Sequence, residues 1–268
     1  MLYDMSKVQK LLEQSLAIRS FPIKEVKDVV DNFKLDNHEE VKVFNSKITE
    51  YLKPYCDLSS FNYLYPLNGI TEGLNYWMWG EERTIQIRNG DYVWVGGKEL
   101  GDVHYWTSPA SFDGNYCDIP TDKPVVLDLA YLLSTDVKPF EIPDNVEKVF
   151  FSFSKCFGLR NYRIGYYWSR KPDRWLEPLN VNAKYYNYHS MGLGEALIEN
   201  IPIDLVFNTL RPYQLDICNE LNLTPSDVIW LATSDDPCYN KFKRNYTNRL
   251  CVADLIKEQY YAANEINR

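Results

Sequence analysis

The residues most able to do chemistry together stand in one run, FSFSKCFGLRNYRIGYYWSR, where Ser152, Ser154, Lys155, Gly158, Arg163 and Gly165 follow in fixed order. The apolar stretch VFFSF has the texture of a strand that delivers Lys155 into a glycine-containing turn. An amine placed this way can condense with an aldehyde, while a nearby cation and hydroxyl can hold a phosphate. A lone lysine is ordinarily a solvated surface group; the company of Lys155 argues otherwise. Upstream, VVLDLAY sets Asp128 at the end of an apolar run with Tyr131 three residues on. Taken alone, such an aspartate is as readily a helix cap. In PLNGITEGLNYW a strand-like run ends in a glycine turn that opens a helix, and backbone NH groups at such a start bind phosphate without a charged side chain.

These segments resemble the fold-type I, aspartate aminotransferase-like superfamily of enzymes that depend on pyridoxal 5'-phosphate (PLP). Its lysine motif is S-x-S-K-x-F-G-L-x-x-x-R-x-G, and Lys155 and Arg163 keep its eight-residue spacing. The resemblance implies that Lys155 carries PLP as a Schiff base, with Arg163 and Ser152 on the cofactor phosphate. It implies that Asp128 pairs with the pyridine nitrogen, keeping the ring a strong electron sink, and that Tyr131 hydrogen-bonds the ring hydroxyl. Gly69, Ile70 and Thr71 match the phosphate loop. Tyr92 in GDYVWVGG falls where the family stacks an aromatic on the ring, with Trp94 as the alternative. Arg249 in NRLCVADLI resembles the arginine that grips the substrate α-carboxylate, a group that a guanidinium fork matches and a lysine does not; Arg244 is the fallback.

The chain also departs from the pattern. The family's N-P-x-N-P-T-G segment is represented by SPASFDG, so Ser111 stands where an asparagine would hydrogen-bond the ring oxygen. A serine offers one donor of shorter reach, which would retune the cofactor imine. The chain is also shorter than usual members. The activity implied is exchange of an amino group between an amino acid and a 2-oxo acid. A lyase or decarboxylase on the same residues, and a non-catalytic binding protein that keeps the fold, are the alternatives. The family's active sites lie between two subunits, so a homodimer is implied.

The elements that must position these residues are readable from texture. Apolar residues recur at helical spacing at Val8, Leu11, Leu12 and Leu16, and again at Val41, Phe44, Ile48 and Leu52, with Pro54 ending the second run. From Phe61 the runs FNYLYPL, TIQI, DYVWV, VHYWTS, PVVLDLA, KVFFSFS and RIGYYW read as buried strands of a mostly parallel sheet. Helical stretches follow in GLGEALIENI and DLVFNTLRPYQLDICNEL, then strand-like SDVIWLATS and RLCVADLI. The expected architecture is α/β: a mostly parallel central sheet flanked by helices, with a smaller α+β domain drawn from the termini. The expected division is a helical segment at 1–60, a large cofactor domain at 61–170 and a small domain at 171–268.

Composition bounds the rest. The chain has 268 residues, 45% hydrophobic and 25% charged, and no run long enough to span a membrane. Lys7, Lys10 and Glu13 interrupt the apolar positions of the N-terminus, unlike a secretory signal, so a cytoplasmic protein is expected. With 29 Lys and Arg against 37 Asp and Glu, the net charge of -8 argues against a nucleic-acid surface. Six scattered cysteines without a CxxC pair, and three distant histidines, suggest neither zinc nor disulfides. The 21 Tyr, 7 Trp and 12 Phe point first to an aromatic core and interface.

Overall fold

A computed structural model describes residues 18–35 and 41–264. Six strands, β1 (Tyr63–Asn68), β2 (Ile85–Ile87), β3 (Val103–Thr107), β4 (Val125–Asp128), β5 (Val146–Ser152) and β6 (Ile164–Ser169), form one sheet in the order β1-β6-β5-β4-β3-β2. Strands β2 to β5 are parallel, whereas β6 runs antiparallel to both neighbours. Every residue of β4 and β6 is buried, which is why these strands read as continuous apolar runs rather than as alternation. The protein is a mixed α/β structure, as the strand texture led one to expect.

Successive side chains of each strand serve two cores. On one face Val126, Phe150 and Tyr167 pack with Tyr105 and with Leu74 and Trp77 of helix α3 (Ile70–Gly80). On the other, Leu127, Phe151, Tyr166 and Trp168 join a larger core reaching the helices. There α1 (Lys24–Asn32) and α2 (Val41–Leu52) pack on α5 (Tyr188–Asn200), and α6 (Leu205–Glu220) packs on α7 (Ala253–Ala263). Helix α2 covers the Val41–Leu52 run and buries Ile48 and Leu52, while the run from Val8 to Leu16 lies outside the described residues. A second sheet, antiparallel and in the order β7-β8-β10-β9, comprises β7 (Thr224–Pro225), β8 (Leu231–Ser234), β9 (Lys243–Arg244) and β10 (Thr247–Cys251).

Two expected strands are corrected. DYVWV contributes only a single tight turn at Val93–Val95. Gly90 and Gly96, both at positive φ, bend the chain at either end, and Asp91 turns inward to a buried polar cluster instead of continuing an apolar face. RLCVADLI is a strand only to Cys251, after which Ala253 opens α7.

The single helical turn α4 (Phe153–Cys156) follows β5, and the chain leaves it through Gly158 at φ 70°. A Cβ at that position would lie 2.1 Å from the backbone carbon of Phe21. Only glycine satisfies both conditions, so Gly158→Ala is expected to lower stability by ~1–3 kcal/mol from backbone conformation alone, plus the displacement of the Phe21–Pro22 segment. Urea unfolding with a midpoint like that of the wild type would contradict this close packing.

Candidate active site

Parallel strands end together. Thr107 at the end of β3 stands opposite Asp128 at the end of β4, and β5 ends beside them at Ser152, which leads into Lys155. The carboxyl edge of a parallel sheet is where open α/β folds place their ligands. The reversed direction of β6 matters here, because its first residue, Ile164, pairs with Asn68 at the end of β1. Arg163 and Gly69, each one residue outside that pair, therefore arrive at the same edge as Asp128 and Lys155. These residues surround a cavity of about 330 Å³ lined by Ile70, Thr71, Tyr92, Ser111, Asp128, Tyr131, Ser152, Lys155, Arg163 and Arg249, together with Ile18, Thr107, Ala130, Ser154 and Arg244.

Asp128 is buried. Its Oδ2 accepts from the Tyr105 hydroxyl at 2.6 Å and its Oδ1 from the Ala130 NH at 2.8 Å. Burial pushes its carboxyl up to about 6 from 3.8; these two donors and the Lys155 charge offset only part of the cost. Tyr105 follows from strand alternation, since it shares a face with Thr107 two residues on and so flanks Asp128 from the neighbouring strand. The pattern VHYWTS contained it, but nothing local marks it as the aspartate's partner.

Lys155 sits in the turn capped by Ser152, whose Oγ accepts from the Ser154 NH at 3.0 Å and donates to the Ile164 carbonyl at 2.8 Å. Burial lowers the lysine's pKa, and the positive charges of Arg249, Arg160 and Arg163 push the same way. Arg163, at φ 55°, bonds the Asn68 carbonyl through Nε at 3.2 Å and lies over Gly69, where a Cβ would meet its Nη2 at 2.4 Å. Gly69 caps α3 at φ 81°, so the helix start and the guanidinium share one small space. Tyr92 reaches the cavity; Trp94 does not line it, being 56% exposed with its indole NH on Asn75.

Ser111 belongs to a cluster that sequence reasoning missed. Its hydroxyl donates to Asp91 Oδ1 at 2.9 Å, and its NH donates to Thr107 Oγ1 at 2.9 Å. Asp91 also accepts from Thr107 Oγ1 at 2.5 Å and from Arg88 Nε at 2.8 Å, and Arg88 stacks 3.6 Å over Trp106. The one proton of Ser111 is thus directed at Asp91, and toward the cavity this hydroxyl is an acceptor rather than the donor expected. Arg249, on β10, is buried and donates to the Ser111 carbonyl at 2.6 Å. Arg244 enters from β9, and burial pushes the Tyr131 phenol up while both arginines oppose that shift.

No protein-family profile matches the chain, and no curated protein matches it in sequence. Solved structures do match. Histidinol-phosphate aminotransferase from Sinorhizobium meliloti, in complex with pyridoxal-5'-phosphate, is similar at 14% identity and a TM-score of 0.64, over 93% of this chain and 89% of that one. The fold is that of the fold-type I aminotransferases. Within that fold, a Thermus thermophilus aspartate aminotransferase mutant complexed with tryptophan is similar at 11% identity and a TM-score of 0.62, over 98% and 95% of the two chains. The PLP-bound C-S lyase from Staphylococcus hominis is similar at 10% identity and a TM-score of 0.64, over 92% and 88%.

The Asp128 environment makes the ligand-free protein sensitive to pH. Because burial raises the folded-state pKa above the unfolded value of 3.8, this group's stabilising contribution is complete below that value and is lost as pH climbs through about 6. Asp128→Asn removes the dependence, and its stability relative to the wild type is expected to rise by up to about 3 kcal/mol between roughly pH 4 and pH 8. Denaturant titrations of both proteins without ligand check this; parallel pH profiles would mean that the carboxylate is not desolvated.

Proposed function

We propose that this chain is a PLP-dependent aminotransferase that exchanges an amino group between an amino acid and a 2-oxo acid, with Lys155 as the lysine that holds the cofactor. The observation that carries the reading is the meeting of three unlike groups in one cavity: an amine whose pKa is lowered by burial, a buried carboxylate, and an arginine beside hydroxyls at a helix start. This donor set fits PLP, whose phosphate needs donors at one end and whose pyridine nitrogen needs a carboxylate at the other. Bound there, PLP supplies an aldehyde for amine exchange and a ring that accepts the electron pair left by a broken α-bond.

The chain's own residues have distinct tasks in this reading. Arg163, the NH groups of Ile70 and Thr71 at the start of α3, and the Ser152 hydroxyl once its proton turns from the Ile164 carbonyl hold the phosphate, with the hydroxyl of Thr71 beside them and Gly69 giving the approach. Asp128 holds a proton on the ring nitrogen, Tyr131 bonds the ring hydroxyl, and Tyr92 covers a ring face. Lys155 Nζ takes the substrate's α-proton and returns it, work that requires a neutral amine near pH 7 and is favoured by burial and neighbouring cations. Arg249 orients the α-carboxylate. Ser111, its proton committed to Asp91, leaves Tyr131 as the donor to the ring oxygen.

A lyase reaction is the second reading, favoured by the C-S lyase that shares the fold at the same TM-score as the histidinol-phosphate enzyme. We place the substrate-facing small domain in 171–268, where the second sheet lies. We infer a homodimer through the outer face of α3, where Trp79 is 76% exposed and Trp94 and Trp175 lie against the same helix.

The purified protein, incubated with PLP, is expected to absorb near the visible edge and to keep the cofactor covalently after borohydride; Lys155→Ala is expected to do neither while remaining folded. Covalent cofactor in that variant would sink the assignment. Formation of pyridoxamine phosphate on adding amino acids separates the transaminase from the lyase. Asp128→Ala is expected to slow turnover by several kcal/mol of barrier, on the order of 10³-fold or more, while the phosphate contacts keep PLP bound. Sedimentation of wild type as a fully active monomer would remove the dimer.

A further inference from the structure

A second cavity, of about 300 Å³, lies beside the Gly69 turn and shares no lining residue with the first. It is walled by the end of β1, the start of β6, the first half of α3 and the chain between Leu176 and Met191. That volume suits a small organic molecule. Among the described residues that line it, none is a lysine, an arginine or a histidine, and Glu72 alone carries a formal charge.

Glu72 and Tyr76 are one turn apart on α3 and so share a face of the helix. The Glu72 carboxylate stands in the first turn, where the positive end of the helix favours it. Among the described residues its donors are the Asn68 NH at 2.5 Å and Asn68 Nδ2 at 3.2 Å, and no lysine or arginine pairs with it. The other polar groups turn donors into the walls: Asn180 Nδ2 donates to the Pro66 carbonyl at 3.2 Å, Asn187 Nδ2 to Asn68 Oδ1 at 3.0 Å, and the Ser190 hydroxyl to the Tyr162 carbonyl at 2.7 Å. Burial pushes the Tyr76 phenol up, and Glu72, Asp173 and Tyr185 push the same way, so a neutral ring lies near the carboxylate. Tyr185, 78% exposed, stands at the opening. An anion would meet the Glu72 charge with no cation to offset it, and an apolar molecule would strip water from that carboxylate without replacing it. A cation pairs with the carboxylate and is drawn to the faces of the rings.

We propose that this second cavity is a binding site for a small organic cation, an ammonium whose charge pairs with Glu72 and whose carbon groups lie against Tyr76 and Tyr185. The site stands apart from the aminotransferase reading and uses none of its residues. Primary amines and quaternary ammonium compounds share the chemistry, and both are arms of the test.

The test titrates the PLP-loaded protein, by calorimetry, with choline and with 3,3-dimethylbutan-1-ol, which has the same shape without the charge and, like choline, cannot condense with the cofactor. The primary-amine arm compares 2-phenylethylamine with 2-phenylethanol on protein free of PLP. Wild type is expected to favour the cation of each pair on the order of 10-fold, and the stronger arm identifies the kind of ammonium. Glu72→Gln, which keeps an acceptor for Asn68, is expected to bring the ratio close to one. Tyr76→Leu is expected to weaken the cation more than its neutral counterpart, and Tyr76→Phe to retain the preference, because the ring rather than the hydroxyl makes the contact. Cofactor uptake and the urea midpoint report that each variant is folded; if Glu72→Gln fails to fold, the wild-type ratios and the two Tyr76 variants decide. Equal binding of choline and its neutral counterpart, no binding of either cation, a preference kept in Glu72→Gln, or sodium chloride competing as well as choline would each overturn the proposal. A protein that takes up no PLP fails the aminotransferase reading alone, since the primary-amine arm needs no cofactor.

Discussion

Burying the carboxylate of Asp128 at the carboxyl edge of the sheet is the constraint on which the rest of this structure turns. A desolvated charge costs several kcal/mol unless donors replace the lost water, and here the replacements are few: the Tyr105 hydroxyl on the adjacent strand and the Ala130 NH in the following turn. Tyr105 can serve only because β3 and β4 are parallel and in a register that sets Thr107 beside Asp128. Its ring in turn lies stacked with Trp77 of α3, at 6.2 Å between centroids. Polar pairing at the edge and apolar packing beneath it are therefore one arrangement, and the helix that opens at Gly69 is fixed by the same contact.

Close approach at the opposite side of the cavity imposes a second condition. The guanidinium of Arg163 occupies the space that a side chain at position 69 would need, and a Cβ at Gly165 would lie 2.7 Å from the Gly69 Cα. Strand β6, antiparallel to its neighbours, brings both residues to this point. With β6 parallel instead, Arg163 would leave from the far edge of the sheet. The glycines and the strand direction are thus two halves of one solution to delivering a cation to a helix start.

What could be read from the sequence was what lies within single segments. FSFSKCFGLRNYR contains strand, cap, amine and arginine in one stretch, and VVLDLAY contains a strand and its terminal carboxylate, so their resemblance to the family's motifs brought Lys155, Asp128 and Arg163 forward. The parallel sheet was legible because strands buried on both faces leave unbroken apolar runs. Partners supplied by register were not legible. Tyr105 is one aromatic among 21 tyrosines until the pairing of β3 with β4 singles it out. The cluster of Arg88, Asp91, Thr107 and Ser111 joins two separate stretches, 88–91 and 107–111, and its inward-turned aspartate also explains why DYVWV failed as a strand. Ser111 was placed by analogy, but the direction of its proton is a property of Asp91.

The cavity draws its walls from two sheets, and the two contributions are mechanically separate. Asp128, Ser152, Lys155 and Arg163 depend on the packing of the first sheet, where a change at one position disturbs strands, helix α3 and neighbouring groups together. Arg244 comes from a two-residue strand at the edge of the second sheet, at the end of the order β7-β8-β10-β9. An edge hairpin can change its side chains, or its length, without re-registering any strand of the first sheet. A substitution at Arg244 therefore leaves the packing around Asp128 and Lys155 in place, whereas one in the first sheet disturbs several lining residues together.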